Sequence, residues 1–385
     1  MNDILSMKNQ KYEFWDNCAI IMALLASISF LGGVTGYSFL TSLSFACSIL
    51  LVVFVCFLDL LQSQKIDKIL PFLLIFMILS LVNSGIKLNF DYYKRLIITF
   101  CTFICIIYSA KVRISEKTKK TVVFFFALDA LIVSVYYYLL GYNKIYFGTT
   151  ESIIFNFSNP NETALWLFGL FIILFSGVFL IKNYFSKCLL FIECLLLFMI
   201  LEATESRNSL FACIFFIVTM ILCNIGKVKK IPKWFLLLLV ILPIIIFFFY
   251  MYFFLPNEKS VESFLIELGF ELEKGLTTRE DIWQIVIDNF SRCFLFGDYL
   301  IFNEAQMHNS LMTLFCMYGA FFVVIACICM YRTCKRLQER ISPLAALTMG
   351  AIFFSGCFEA SVFVGVAGFY LVLFLAPSCV LKKDK

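Results

Sequence analysis

Residues 234–255 read WFLLLLVILPIIIFFFYMYFFL, an unbroken run with no charged side chain. A bilayer core about 30 Å thick needs roughly 20 apolar residues at about 1.5 Å of rise each, so this stretch alone is long enough to cross it as a helix. The pattern repeats in both directions. Apolar runs near 18–35, 38–61, 69–85, 95–110, 121–141, 164–181, 188–203, 208–225, 234–255, 309–330, 343–358 and 361–380 give twelve expected spans. Composition leaves no soluble alternative: 62% of the 385 residues are hydrophobic and only 15% charged, too little polar surface to cover a water-soluble fold. Runs this long and continuously apolar favour helices, which satisfy their own backbone groups in lipid, over the alternating strands of a barrel. The expected fold class is therefore an all-α polytopic integral membrane protein, a single membrane domain over residues 1–385.

Charge sets the expected orientation. Of the 31 Lys and Arg, 22 fall on one side of the twelve spans, among them Lys119, Lys120, Lys229 and Lys230. The other side holds nine: Lys87, Lys94, Arg95, Lys144, Arg207, Lys259, Lys274, Arg279 and Arg292. Short basic loops stay inside, so both termini are expected in the cytoplasm and the protein in the cytoplasmic (inner or plasma) membrane. The net charge of +5 is then a consequence of topology and calls for no nucleic-acid partner. The first 17 residues are mixed polar and charged, with Lys8, Lys11, Glu13 and Asp16, and no small-residue cleavage site follows, so no removable signal peptide is expected.

Sixteen cysteines map almost entirely to spans or the inner side, with Cys293 alone in an outer segment. Neither a disulfide framework nor a Cys/His metal site follows from that placement, and no cofactor is expected.

Two outer segments exceed ordinary loop lengths, residues 142–163 and the large extracytoplasmic loop 256–308 between spans nine and ten. Within the second, Phe264, Leu265, Leu268 and Leu272 recur at helical spacing opposite Glu267, Glu271 and Glu273, the pattern of an amphipathic helix lying on the membrane or over a cavity. Next, Thr278-Arg279-Glu280-Asp281 has the spacing of a capping box. It starts a helix with Arg279 in the first turn, where a guanidinium and unpaired N–H groups together suit a diphosphate. Packing of Arg279 on Trp283 is the structural alternative.

Arg207 lies in the polar turn Glu202-Ala203-Thr204-Glu205-Ser206-Arg207-Asn208-Ser209, compressed between two spans on the same outer side. Snorkelling to headgroups would explain it equally. His308, the only histidine of the chain, opens span ten in Met307-His308-Asn309-Ser310. A group able to titrate near neutral pH at a membrane surface suits proton handling, and a helix-capping or anchoring role is its alternative.

Ser206-Arg207, Thr278-Arg279, Trp283, Phe296-Gly297, His308-Asn309 and Tyr318-Gly319 occur in the order and membrane sidedness of the O-antigen ligase and Wzy-type polymerase superfamily, which residues 201–319 resemble. Asn159-Pro160-Asn161-Glu162-Thr163-Ala164 looks like a further element of polymerase-like members, although Asn and Pro at a helix start also fit plain capping. The chain departs from the pattern at Asn208, where the family often has a small residue, and at Gly297-Asp298-Tyr299, which lacks a second glycine.

The resemblance implies a glycosyltransferase-C-like membrane fold, with short helices in the outer loop, that moves a sugar chain from an undecaprenyl diphosphate carrier to an acceptor hydroxyl. The leaving diphosphate needs charge stabilisation, which Arg207 and Arg279 would supply without a metal, and His308 would take or orient the proton of the attacking hydroxyl. Ser206, Thr278, Trp283 and Asn309 complete the implied substrate-binding set. Direct displacement would invert the anomeric centre. Polymerisation of lipid-linked repeat units into surface polysaccharide is the first expectation, and ligase-type transfer to a final acceptor the second. Implied partners are undecaprenyl-diphosphate-linked oligosaccharides, the bilayer and other polysaccharide-assembly proteins such as a flippase or chain-length regulator. The rival class is a twelve-span transporter or lipid-linked oligosaccharide flippase, for which Asp129 and Glu193, each inside a span, are the candidate polar groups.

Overall fold

The computed structural model describes residues 2–63, 67–83, 90–147, 150–226, 228–257, 260, 263, 280–299, 301, 308–357, 359, 361–366 and 368–380. The chain is an all-α membrane protein with one small β-hairpin. Its helices are α1 (Asn2–Thr35), α2 (Ser38–Ser63), α3 (Ile69–Asn83), α4 (Phe90–Ser109), α5 (Glu116–Val135), α6 (Pro160–Leu180), α7 (Tyr184–Ala203), α8 (Arg207–Ile225) and α9 (Lys233–Phe249). There follow α10 (Glu280–Asp288), α11 (Phe290–Phe294), α12 (Ser310–Tyr318), α13 (Ala320–Arg340), α14 (Pro343–Ser355), α15 (Ser361–Val364) and α16 (Phe369–Ser378). Among the described residues, eight helices are long and apolar enough to cross a membrane, lying within α1, α2 and α4–α9.

The other four expected spans take different forms. Helix α3 has 15 residues and α14 has 13, about 22 and 20 Å of helix against a core of about 30 Å. The expected span over 309–330 is two helices, because Gly319 at φ +88° interrupts α12 and α13. The one over 361–380 is likewise divided into α15 and α16, with Gly368 at φ +84° starting the second. Apolar content continues through both breaks, and for that reason hydropathy alone reads straight across them.

Burial separates the lipid-facing helices from the centre. The window on α6 is 89% buried, against 22% on α2 and 28% on α7. Phe39, Leu50, Leu139, Phe185 and Leu222 stand more than half exposed, as an apolar surface against lipid tails requires. Within 142–163, expected from the sequence to be an outer segment, strands β1 (Lys144–Phe147) and β2 (Thr150–Ile153) pair antiparallel with Lys144 opposite Ile153 and Phe147 opposite Thr150. This hairpin was not expected; β-branched and aromatic residues over 144–147 favour strand where the chain has left the apolar run.

The basic loops gather at one end of the bundle. Arg336 Nη1 meets Asp67 Oδ2 at 3.0 Å, Lys111 Nζ meets Asp59 Oδ2 at 3.5 Å, and Lys119 Nζ donates to Val380 O at 2.8 Å. At the opposite end, Asn156 Nδ2 donates to Val34 O at 2.7 Å and Asn83 Nδ2 to Gly297 O at 2.8 Å. Burial works to raise the Asp67 carboxyl, but the hydrogen bonds from Arg336 and the Ile69 N–H outweigh it and hold the group below its ordinary value. A folded-state pKa held down contributes stability that is present above the unfolded value of about 3.9 and is lost as pH falls through the folded value. Arg336→Ala should therefore lower the thermal midpoint at pH 7, with the deficit shrinking as pH falls below about 4. A deficit independent of pH over that range would show that the pair does not carry the effect.

Candidate functional site

The polar turn before α8 is conformationally special. Glu205 has φ +55°, one of two non-glycine residues in the left-handed region among the described residues, and such a backbone persists only where its surroundings hold it. Thr204 Oγ1 accepts from the Ser206 N–H at 3.3 Å and donates to Leu201 O at 2.6 Å, locking the turn from inside. Ser206 precedes α8 without a side-chain capping bond, and no acidic residue lies in the first turn. Its hydroxyl instead faces Ser209 Oγ at 3.5 Å. Arg207 is the first helical residue and is exposed. Among the described residues it makes no hydrogen bond through its side chain and no ion pair. A cation at a helix start works against the macrodipole unless an anion joins it. The arrangement is thus electrostatically suited to phosphate.

Asn208 and Asn309 bind the same stretch of backbone. Asn208 Nδ2 donates to Ser355 O at 2.6 Å, and Asn309 Nδ2 donates to Cys357 O at 3.0 Å and to Pro243 O at 2.7 Å. Asn309 Oδ1 also accepts from the Met312 N–H at 3.0 Å, capping α12. The turn after α14 thereby ties the start of α8 to the start of α12, placing Arg207 and His308 each one residue from an asparagine anchored on it. Ser310 reinforces the junction: its N–H donates to Gly356 O at 2.8 Å and its hydroxyl donates to Glu359 O.

His308 is half-buried, with its Nδ1 atom turned inward. Asn309 is fully buried, and its bonds make it a scaffold residue next to His308. Trp283 on α10 is also fully buried, packed edge-on to Tyr250 at 4.9 Å between ring centroids and tilted on Phe247 at 5.1 Å. Tyr250 belongs to a single widened turn, Tyr250–Phe254, that continues α9. The indole thus clamps α10 onto α9 and its widened last turn, and among the described residues its Nε1 has no hydrogen-bond partner. Thr278, Arg279 and the amphipathic stretch 264–274 lie outside the described residues, as does Lys274.

The two glycine elements form one interlock. Gly297 at φ +76° and Gly319 at φ +88° let the backbone of 295–298 lie directly on that of 316–319, with the Asp298 N–H donating to Cys316 O at 2.7 Å. The next residue, Tyr299, donates to Asp91 Oδ2 at 3.1 Å, and Arg95 Nε approaches the same oxygen at 2.7 Å. Burial first, and then the adjacent carboxylate, push the Tyr299 hydroxyl up to about 12, so it stays a donor at physiological pH. Asn159 is a plain cap: its Oδ1 accepts from the Glu162 N–H at 2.9 Å, with Pro160 in the first turn of α6.

Sequence reasoning met Asn208 only as a departure from the family pattern, and passed over Glu359 and the Asp91–Arg95–Tyr299 cluster. For Glu359 a signal existed, a solitary carboxylate between two apolar runs. Asn208 and Tyr299 reveal themselves only through partners more than a hundred residues away. No protein-family model, no curated protein and no solved structure matches the chain.

Proposed function

We propose that the chain is an extracytoplasmic-face glycosyltransferase that polymerises undecaprenyl-diphosphate-linked oligosaccharide repeat units into surface polysaccharide, as its resemblance to the O-antigen ligase and Wzy-type polymerases implies. One observation carries the reading. An arginine without an ion pair among the described residues and the chain's only histidine flank one hydrogen-bonded turn at the end of the bundle away from the basic loops. In this reaction the acceptor oxygen bonds to the anomeric carbon as the carbon–oxygen bond to the diphosphate breaks. The bonding pair leaves with the diphosphate, and the acceptor proton passes to His308. Arg207, with Arg279, meets the charge that develops on the leaving oxygens. A backside approach inverts the anomeric centre.

On the proposed topology, with twelve crossings and both termini inside, this end lies outside the cell, a reading supported by the 22 to 9 division of Lys and Arg. Single cysteines at Lys119 and Lys229 in a cysteine-free background should label only from the cytoplasm, and those at Asn156 and Lys274 only from outside. Labelling of the Lys274 site from the cytoplasm alone would remove the outer-face mechanism.

Diphosphate recognition is tested by native mass spectrometry of the purified protein with undecaprenyl diphosphate. Arg207→Ala should weaken retention about tenfold or more, equivalent to the loss of a charge-assisted hydrogen bond of about 1.5–3 kcal/mol, and Arg207→Lys should recover only part of it because an ammonium lacks the bidentate fork. Retention equal to wild type in the folded alanine variant would sink the assignment.

A transporter reading draws on a different observation. Asp129 on α5 is buried inside a span, where Ser27 of α1 donates to its Oδ1 at 2.5 Å, and intramembrane carboxyls often mark transport paths. If that reading held, Asp129→Asn would stop movement of a lipid-linked sugar across the bilayer. Under the transferase reading Asp129→Asn leaves glycosidic-bond formation intact.

A further inference from the structure

Cys293 is the one cysteine that the sequence sets in an outer segment, and the fold brings it onto Cys316 of α12. Both residues are fully buried and both carry free thiols. The Cys316 S–H donates to the Cys293 sulfur. Their main chains are fixed just as closely. The Gly297 N–H donates to Cys293 O at 3.0 Å, and the next N–H along the chain, that of Asp298, donates to Cys316 O at 2.7 Å. Phe290, one turn before Cys293, stacks on Phe315 at 4.9 Å between ring centroids. Sulfur contact, consecutive backbone bonds and a ring stack therefore hold α11 and α12 in one register around the pair.

A buried cysteine commonly serves as a small apolar side chain. Two whose sulfurs meet across separate helices can also be joined, because a disulfide forms without backbone movement only where the two side chains already converge. We infer that Cys293 and Cys316 form a redox latch: at an oxidising membrane face they join as a disulfide that fastens the outer segment to α12. That setting rests on the outer-face reading, since disulfides persist in oxidising compartments, whereas the pairing itself can be measured on purified protein.

The oxidant is itself a disulfide, carried by a thiol oxidoreductase or a small molecule. The bond from the Cys316 S–H holds the Cys293 thiol below its ordinary value, against the effect of burial, which makes Cys293 the attacking thiolate. It bonds to one sulfur of the oxidant, whose S–S bond breaks; the electron pair leaves on the other sulfur, which takes up a proton. Cys316, deprotonated in turn, displaces the second oxidant sulfur from Cys293, and that sulfur also leaves as a thiol. The pair of protein thiols gives up two electrons and two protons, and the oxidant disulfide gains them. Because both sulfurs are buried, the exchange runs through openings that lift α11 off α12, and the new bond traps the docked arrangement. The ring that it closes, residues 293–316, contains His308, so the latch restrains the segment that carries the histidine.

Full-length protein, reduced in nanodiscs, is equilibrated with excess oxidised glutathione, denatured in an alkylating reagent and cleaved after Phe and Tyr, which separates Cys293 from Cys316. Peptides joined through Cys293 and Cys316, and released by dithiothreitol, are the expected result. The oxidised protein should also melt about 3 °C or more above the reduced one. Cys293→Ala and Cys316→Ala should each remove both the link and the redox dependence of melting. Full alkylation of both cysteines in oxidised wild type, or a glutathione adduct in place of the link, would overturn the inference, and a link that leaves the thermal midpoint unchanged would show that it fastens nothing. If an alanine variant does not accumulate folded, the wild-type peptides and midpoints decide alone. Cytoplasm-only labelling of the Asn156 site with the link present in purified protein would remove the outer-face reading alone; labelling from outside with no link would remove this inference alone.

Discussion

Gly319→Ala is expected to abolish accumulation of folded protein, and Gly297→Ala to do nearly the same. A Cβ on Gly319 would lie 2.3 Å from Leu295 O and 2.5 Å from Leu295 C, and one on Gly297 would lie 2.3 Å from Met317 C and 2.4 Å from Tyr318 N. Every one of these neighbours is backbone. They cannot retreat cheaply, because Asp298 N–H is bonded to Cys316 O, Asn83 Nδ2 to Gly297 O and Ser80 Oγ to Met317 O. Both glycines also have φ near +80°, which costs an alanine about 1–3 kcal/mol before any clash; overpacking adds about 1–3 kcal/mol more. Against a total stability of about 5–15 kcal/mol, that is a large fraction of what holds a domain together. Size-exclusion profiles of detergent extracts heated in steps measure the loss. A Gly319→Ala variant with a wild-type melting profile would show that the two segments do not interlock.

Arg207→Ala and His308→Ala should lose transfer while the protein level and melting profile stay near wild type. Arg207 is exposed and makes no ion pair among the described residues, so truncation removes no structural bond. Loss of one preorganised charge donor costs about 10²–10³-fold in turnover. For His308, removal of a general base costs about 10²–10⁴-fold, with lipid-diphosphate binding retained. The two variants thus separate by binding: Arg207→Ala should weaken retention of the diphosphate, and His308→Ala should not. Turnover near the wild-type rate in purified His308→Ala would strip that residue of its role. Asn309→Ala should differ from both by lowering stability, since its side chain makes three hydrogen bonds in the core.

Much of the bundle was legible in the sequence because hydropathy reports lipid contact directly. Every one of the eight helices long enough to cross a membrane coincides with an apolar run read from the chain. The breaks at Gly319 and Gly368 were not legible, since apolar residues continue through them and a positive φ leaves no trace in hydropathy. The same limit applies to the site. Arg207 and His308 stand out as rare polar groups beside apolar runs, and the asparagine next to each is bonded to the same turn. Asn309 was expected to touch substrate, yet its partners are carbonyls 66 and 48 residues away, a pairing no local pattern encodes. Trp283 was expected in the substrate-binding set or under Arg279, and its ring is instead packed against Phe247 and Tyr250 in the interior. The hairpin at 144–153 was missed because two strands of four residues each carry too short an alternation to distinguish strand from loop.

Glycosidic-bond formation by the purified chain is the most direct measurement. Wild-type protein and Arg207→Ala are reconstituted in sealed proteoliposomes with a lipid-diphosphate-linked oligosaccharide, and the products are separated by length. Outer-face polymerisation predicts a ladder of longer lipid-linked chains with release of undecaprenyl diphosphate, present in wild type and absent in Arg207→Ala. Movement of the oligosaccharide between leaflets with no new glycosidic bond in wild type would contradict it.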